Sequence, residues 1–373
     1  MKSNYKKLGD YIRLVDERNK DDKVTRLLGV SIEKKFIESI ANTIGTDMSI
    51  YKIVRKGQFA YGPVTSRNGD KVSIALLQED ECIISSSYTV FEIIDTTKLL
   101  PEYLNLWFKR PEFDRYARFH SHGSAREIFD WEEMCNVELP VPEIDEQKKI
   151  VEAYNTIERR IELKRQINDN LESQGYALYR ELFSNENECI DGKIIDLATD
   201  IVCGKTPSTK DESNFSGEIP FITIPDMHDG RFCVKTARYL SNRGATNSIP
   251  PMSICVSCIA SAGLVCIADK RSQTNQQINS IICKPDISPY FVYYKMKELS
   301  DYIKQIGSCG STTCNLSKSG FSDIDIKLPP TTKQQEFTHK VAPIFATIRN
   351  NQIELQSLEQ LKSILLCKLS TTI

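Results

Sequence analysis

The stretch LPVPEIDEQKKIVEAYNTIERRIELKRQINDNLESQGYALYREL, residues 139–182, decides the fold. From Asp145 it runs to Leu182 without a further proline, and its apolar positions Ile150, Tyr154, Ile157, Ile161, Leu171, Leu178 and Leu182 recur in steps of three and four. That is the period of a helix that buries one face. At ~1.5 Å per residue such a helix is on the order of 50–60 Å long, well beyond one compact module. Its seam needs a partner outside its own globule.

The same chain supplies one. Shifting the sequence by 187 residues sets Pro142 on Pro329, Gln147 on Gln334, Ile157 on Ile344, Ile161 on Ile348, Leu171 on Leu358, Leu178 on Leu365 and Leu182 on Leu369, with no gap. Upstream in the same register Tyr103 meets Tyr290, Asp114 meets Asp301, Ser121 meets Ser308, Gly123 meets Gly310 and Ser124 meets Ser311. The second copy therefore also closes on a helix, after Leu328-Pro329-Pro330, with Phe337, Val341, Ile344, Ile348, Leu355, Leu358, Leu365 and Leu369 on its seam. Pro343 is expected to kink or delay its first turn. Two similar seams in one chain bury each other as an antiparallel coiled coil with pseudo-twofold symmetry.

Ahead of each helix lie short β-type runs broken by turns. In the first half these are 27–32, 72–77 and 88–94, with Arg67-Asn68-Gly69-Asp70 as a turn; in the second, 219–224, 254–260, 264–268 and 278–283. A short helix opened by proline follows in each, from Pro101 to Phe108 and from Pro289 to Met296. The reading is α+β: two similar mixed α/β domains, 1–143 and 187–330, each followed by a long spacer helix, 144–186 and 331–373.

Of 373 residues, 40% are hydrophobic and 26% charged, a globular composition that excludes disorder and fibrous repeats. No apolar run is long enough for a membrane span. The charged start Lys2-Ser3-Asn4-Tyr5-Lys6-Lys7 lacks the apolar core of a signal peptide, so a cytoplasmic location and mostly free thiols among the twelve cysteines are expected. The net charge of −2 is segregated: residues 1–120 and 193–320 each carry +3, and 121–192 carry −9. Two mildly basic modules bracket an acidic connector. Held at a fixed separation by rigid helices, two like modules measure a distance, and double-helical DNA with half-sites ~34 Å apart is a linear target that suits them.

The residues resemble the specificity (S) subunits of type I restriction-modification systems, over essentially the whole chain. The carriers are Gly204-Lys205-Thr206-Pro207-Ser208, Thr274-Asn275-Gln276-Gln277 and Pro289-Tyr290-Phe291, the loops Ser121-His122-Gly123-Ser124 and Ser308-Cys309-Gly310-Ser311, and the boundaries Leu139 to Pro142 with Gln147 and Leu328 to Pro330 with Gln334-Gln335. The first module departs from the glycine-threonine-proline opening, with Val15-Asp16-Glu17-Arg18 in its place, while Tyr61-Gly62-Pro63 and Ser86 to Phe91 look like a variant of the same domain. The resemblance implies two target-recognition domains reading the halves of a split, asymmetric DNA site. It also implies spacer helices that dock modification (methyltransferase) subunits, two of them, and restriction (ATP-dependent translocase and nuclease) subunits. S-adenosylmethionine, ATP and Mg are then expected only in those partners, with no cofactor or metal in this chain. A specificity subunit of a type II-like system, or a coiled-coil adaptor that reads no DNA, is the alternative.

Candidate DNA contacts are Tyr61, Ser66, Arg67, Lys71, Ser87, His122, Ser124 and Arg126 in the first module, and Lys205, Thr206, Lys270, Arg271, Asn275, Gln276, Ser311 and Thr312 in the second. The cations stand in turn-rich segments where they can reach bases or phosphates, or serve as solvated surface charge. Asn275, Gln276 and Gln277 suit bidentate contact with adenine or the stabilisation of a turn. Gly204-Lys205-Thr206 is no P-loop, since position 199 is threonine where a glycine is required. Cys255, Cys258, Cys266 and Cys283 lack a second pair or a nearby histidine for zinc and read as buried thiols in strands. No motif for methyl transfer, cofactor binding or nuclease chemistry is present, so the chain is expected to read DNA and leave catalysis to its partners.

Overall fold

The computed structural model describes residues 5–39, 45–66, 68–123, 127–228, 230–307 and 315–370. The chain forms two compact units, residues 1–160 with 359–373, and residues 161–358. Two long helices, Ile144–Phe183 and Thr331–Lys368, pass from one unit into the other.

In the first unit an antiparallel sheet runs in the order Ile12–Val15, Thr89–Ile93, Phe59–Tyr61, Ile74–Leu76. The period-2 alternation of its strands gives it two apolar faces. Phe59, Tyr61, Ile74, Leu76 and Phe91 pack with the helices Pro101–Phe108 and Pro111–Phe119, and with Tyr154, Leu366 and Leu369 of the long helices. Ala60, Ala75 and Val90 face Leu28, Val30, Val54, Cys82 and Ile84 instead. Of the expected turn at 67–70, the described residues 68–70 lie between two strands of this sheet, with Gly69 at φ 62°, the left-handed conformation that glycine adopts without strain.

The second unit carries a five-stranded sheet in the order Ala198–Cys203, Ile278–Cys283, Ile254–Ser257, Val265–Ala268, Phe232–Cys233. A three-stranded sheet, Arg238–Leu240, Ile219–Ile222, Gln273–Thr274, lies in the same unit. The run 219–224 is shorter as a strand than its composition suggested, because Thr223 and Asp226 form a capping box and Ile224–Met227 turns into a helix. Cys255, Cys258 and Cys266 are buried thiols, and Cys283 is half-buried. Among the described residues, no helix is long and apolar enough to cross a membrane.

The repeat becomes physical at the foot of each long helix. Glu138–Pro140 pairs with Tyr5–Lys7, and Asp325–Leu328, one repeat step on, pairs with Ile190–Lys193. Buried Gln147 accepts from the Leu100 N–H at 2.9 Å and donates to the carbonyls of Lys98 and Pro142, both at 2.8 Å. Its counterpart Gln334 accepts from the Ser288 N–H at 3.2 Å and donates to the Pro329 carbonyl at 3.1 Å. One amide thus latches each long helix to the start of the preceding short helix.

The long helices pair antiparallel in the second unit. Tyr179 and Phe183 pack edge-to-face on Phe337, Asn351 donates to Asn168 at 2.8 Å, and Lys164 bridges Asn351 at 2.8 Å and Glu354 at 2.7 Å. In the first unit Glu158 pairs with Lys362 at 3.0 Å. Of the expected seam, Ile161, Val341, Ile348, Leu358 and Leu369 are buried, and Ile150, Leu171, Leu178, Leu182, Ile344 and Leu365 pack partly buried on the cores. Tyr154 is buried, whereas Ile157 and Leu355 are half-covered. Pro343 does not delay the second helix, which starts at Thr331 and continues through it; the proline is exposed, so the turn lacking its N–H faces solvent.

Removing a latch amide leaves buried backbone groups unpaired, a loss of about 1–3 kcal/mol. Gln147→Ala and Gln334→Ala are each expected to lower stability by that amount in urea unfolding. A pH dependence follows from Glu172. Burial alone would raise its carboxyl, but the Lys297 ammonium and the Arg231 guanidinium beside it hold it below the usual carboxylate range. A folded-state value below the unfolded one means this contribution is present above the unfolded value and lost as pH falls through the folded one. Glu172→Gln should therefore flatten the acid limb of a stability-versus-pH curve.

Candidate nucleic-acid interface

The second unit gathers its described candidates, Lys205, Thr206, Lys270, Arg271, Asn275 and Gln276, on one set of loops. The chain leaves the strand Ala198–Cys203 at Gly204, whose N–H donates to the Ile278 carbonyl at 3.0 Å, while the Lys205 N–H donates to the Thr274 carbonyl at 2.9 Å. A Cβ on Gly204 would collide with the Asn275 carbonyl oxygen and the Thr274 hydroxyl, so only glycine permits this approach. Buried Gln273 ties three segments together. It donates to the Lys205 carbonyl at 2.7 Å and accepts from the Asn247 N–H at 2.7 Å, and Asn247 donates in turn to the Cys203 carbonyl at 2.8 Å.

On this frame Lys205, Lys270 and Arg271 are exposed. Arg271 donates to neutral partners, Ser248 at 3.0 Å and Asn242 at 3.4 Å, which leaves its charge uncompensated. Among the described residues neither Lys205 nor Lys270 is ion-paired. The Thr206 hydroxyl donates to the Gln276 amide oxygen at 2.6 Å, so exposed Gln276 offers outward chiefly its N–H groups. Asn275 is buried and bonded to Gln277, accepting its N–H at 3.1 Å and donating to its amide oxygen at 2.9 Å. Of the two roles open to it, the structure gives Asn275 the turn. The supporting residues Gln273, Asn247 and Ser248 were not singled out by sequence, where nothing marks an isolated amide as a tie between distant loops.

The first unit is different. Tyr61 has no exposed surface and packs edge-on against Phe91 and Phe129, so it is a core residue and corrects the expectation of a contact. Exposed Ser66 and His122 flank paired segments: the Thr65 N–H donates to the Glu127 carbonyl at 2.9 Å, and His122 and Ile128 exchange backbone hydrogen bonds. Lys71 is exposed but bound to Glu33. Exposed Ser87 sits in the turn before Thr89–Ile93, with its hydroxyl 3.1 Å from that of Ser85. Arg13, Arg18, Arg26, Arg55, Arg110, Arg115 and Arg118 all end on carboxylates. Arg67, Ser124, Arg126, Ser311 and Thr312 lie outside the described residues.

Known proteins resemble this chain throughout. The family described as type I restriction modification DNA specificity domain matches residues 29–173 and 191–360. The type I restriction enzyme HindI specificity subunit of Haemophilus influenzae is 28% identical over an alignment 423 positions long, covering 91% of this chain and 92% of the relative. The MjaIX specificity subunit of Methanocaldococcus jannaschii is 29% identical over 177 residues, 45% of this chain and 40% of the relative. The crystal structure of a type I restriction-modification S subunit from M. genitalium shares the fold at a TM-score of 0.64 and 14% identity, covering 98% of this chain and 95% of that one.

Because the clash at Gly204 is with backbone, Gly204→Ala is expected to destabilise the second unit by about 1–3 kcal/mol, as overpacking does. Thr206→Ala, which removes a hydrogen bond between exposed side chains, should stay within about 0.5 kcal/mol. Paired urea titrations check both.

Proposed function

This chain belongs to the family of type I restriction-modification DNA specificity proteins, and from that membership we propose that it is the subunit that selects a bipartite, asymmetric DNA site for its complex. Residues 1–143 and 187–330 read one half-site each. The helical segments 144–186 and 331–373 act as spacer and as docking surface for two methyltransferase subunits, with the restriction subunits joining the same complex. The chain itself is non-catalytic and works in the cytoplasm, and S-adenosylmethionine, ATP and Mg serve its partners.

The observation that carries this reading is the repeat realised in three dimensions. The ladders at 138–140 and 325–328 and the latches Gln147 and Gln334 recur at one step of 187 residues. The antiparallel contact between Lys164 and Asn351 joins positions related by that same step. A duplicated reading module suits a two-part target.

In the second module, Lys205, Lys270 and Arg271 engage phosphates, and Gln276 donates to a base acceptor rather than making the two-way contact with adenine that its residue type allows. Ser66, Lys71, Ser87 and His122 are the remaining described candidates in the first module, and Lys71 would have to leave Glu33 to meet a phosphate.

Co-expression with the methyltransferase subunit in a methylation-free host, followed by long-read mapping of modified adenines, tests the whole reading. A single split motif with a constant gap is expected. Co-purification of the two proteins without sequence-dependent modification would favour the adaptor instead. The combined substitutions Lys205→Glu, Lys270→Glu and Arg271→Glu should cut specific binding at least tenfold. Single Ala substitutions should lower the log–log salt slope by about one for each phosphate contact removed, measured by fluorescence anisotropy of the complex across a salt series.

A further inference from the structure

The second unit fastens its five-stranded sheet and the short helix Pro289–Glu298 to the long helices through charged and amide groups. On the first helix, Glu172 accepts from the Tyr293 hydroxyl at 2.7 Å and pairs with Lys297 at 2.6 Å and with Arg231. Arg231 also holds Asp169 at 2.8 Å. The Tyr294 hydroxyl donates to the Glu172 carbonyl at 3.0 Å, above Gly175, where a Cβ would strike that hydroxyl. On the second helix, Gln352 clasps the backbone of Phe232, accepting its N–H at 3.0 Å and donating to its carbonyl at 3.1 Å, and Arg349 pairs with Asp269, whose side chain is covered. Gly230 lies so close to Gln352 that a Cβ there would collide with its amide. Segment 230–233, which enters the edge strand of the five-stranded sheet, is gripped from two helices within a few residues.

This fastening is more elaborate than stability requires. Partly buried charge pairs contribute little net stability compared with apolar contacts, but they are geometrically strict. They also differ from the rest of the repeat. The positions one step before Arg349 and Gln352 are Glu162 and Arg165, so the part of the grip on the second helix is not encoded twice, although Glu172 recurs as Glu359. In the first unit, the described contacts with the helices include the apolar cluster around Tyr154, Leu366 and Leu369, the Gln147 latch, the Tyr5 hydroxyl donating to the Ser370 carbonyl at 2.9 Å, and Lys109 lying 4.8 Å over the Tyr154 ring.

We propose that Glu172, Arg231 and Gln352 are positioning residues that fix the second reading module on the long helices and thereby hold the gap between half-sites to one length. The proposal rests on the two-half-site reading above. An apolar interface tolerates small rotations with little loss, whereas a bidentate amide clasp and a three-partner carboxylate do not. Loosening them lets the module reach half-sites displaced by one base pair.

The test is the methylation map of the complex formed with the double variant Glu172→Gln, Gln352→Ala, compared with the unchanged chain and with Gln334→Ala, which weakens the latch without touching the grip. Modification at sites with the gap shortened or lengthened by one base pair is expected to rise at least tenfold in the double variant and to stay at background in Gln334→Ala. If the double variant only loses modification at the normal gap, as Gln334→Ala does, the grip is merely structural and the proposal fails. A rise in both variants overturns it as well, because gap relaxation would then follow from any weakening. An unchanged chain that modifies no split motif at all removes the reading beneath it, a failure visible before any variant is compared.

Discussion

A helix of about 60 Å with an apolar stripe along one side cannot stand alone in water, because no single module is large enough to cover it. The rest of this structure follows from how that stripe is covered. The first long helix meets the second, and each unit then packs its own core onto a stretch of the pair. Tyr179, Phe183 and Phe337 close one core and Tyr154, Leu366 and Leu369 another. Within the seam the amides of Asn168 and Asn351 bond to each other, which satisfies both only in one register.

Much of this was legible in the sequence because helix period and repeat step are one-dimensional signals. The first long helix was expected from Asp145 and begins at Ile144; the short helix Pro101–Phe108 has the expected bounds. The strand Ile278–Cys283 also matches, whereas 254–260 ends as a strand at Ser257, where the chain turns toward Val265. The strand expected to reach Ile224 stops at Ile222 because Thr223, Pro225 and Asp226 start a helix, a local signal outweighed by the β-branched run before it. The candidate site was less legible. Gly204, Lys205 and Thr206 follow the strand Ala198–Cys203, but their positions depend on Gln273 and Asn247, which belong to strands and loops far apart in sequence. Tyr61 shows the opposite failure: it stands among the candidate contacts in the sequence, and only its packing against Phe91 and Phe129 reveals it as core.

The two halves have kept a common frame and parted in their chemistry. Each long helix is latched by a glutamine to the same place in its unit, since those bonds serve the backbone and do not depend on what the loops present. The charged groups are free to differ. In the first unit the described arginines before residue 119 are neutralised by carboxylates, while in the second Arg271 rests on neutral hydroxyl and amide groups. An ion-paired arginine must give up its partner to bind an anion, and an arginine held by neutral groups need not.

Lys164 gives this divergence a further meaning. It lies where the helix pair crosses its own repeat step, bonded to Asn351 and paired with Glu354. If two copies of the first helix came together in that register, Lys164 would confront Lys164 of the other chain and would find Ile167 where Glu354 now stands. Like charges held in a half-buried seam repel, so a homodimer built from two first halves is discouraged. The ancestral symmetry of the duplication has been spent: the halves still share a scaffold, but they are no longer interchangeable, and the first helix is made for the second.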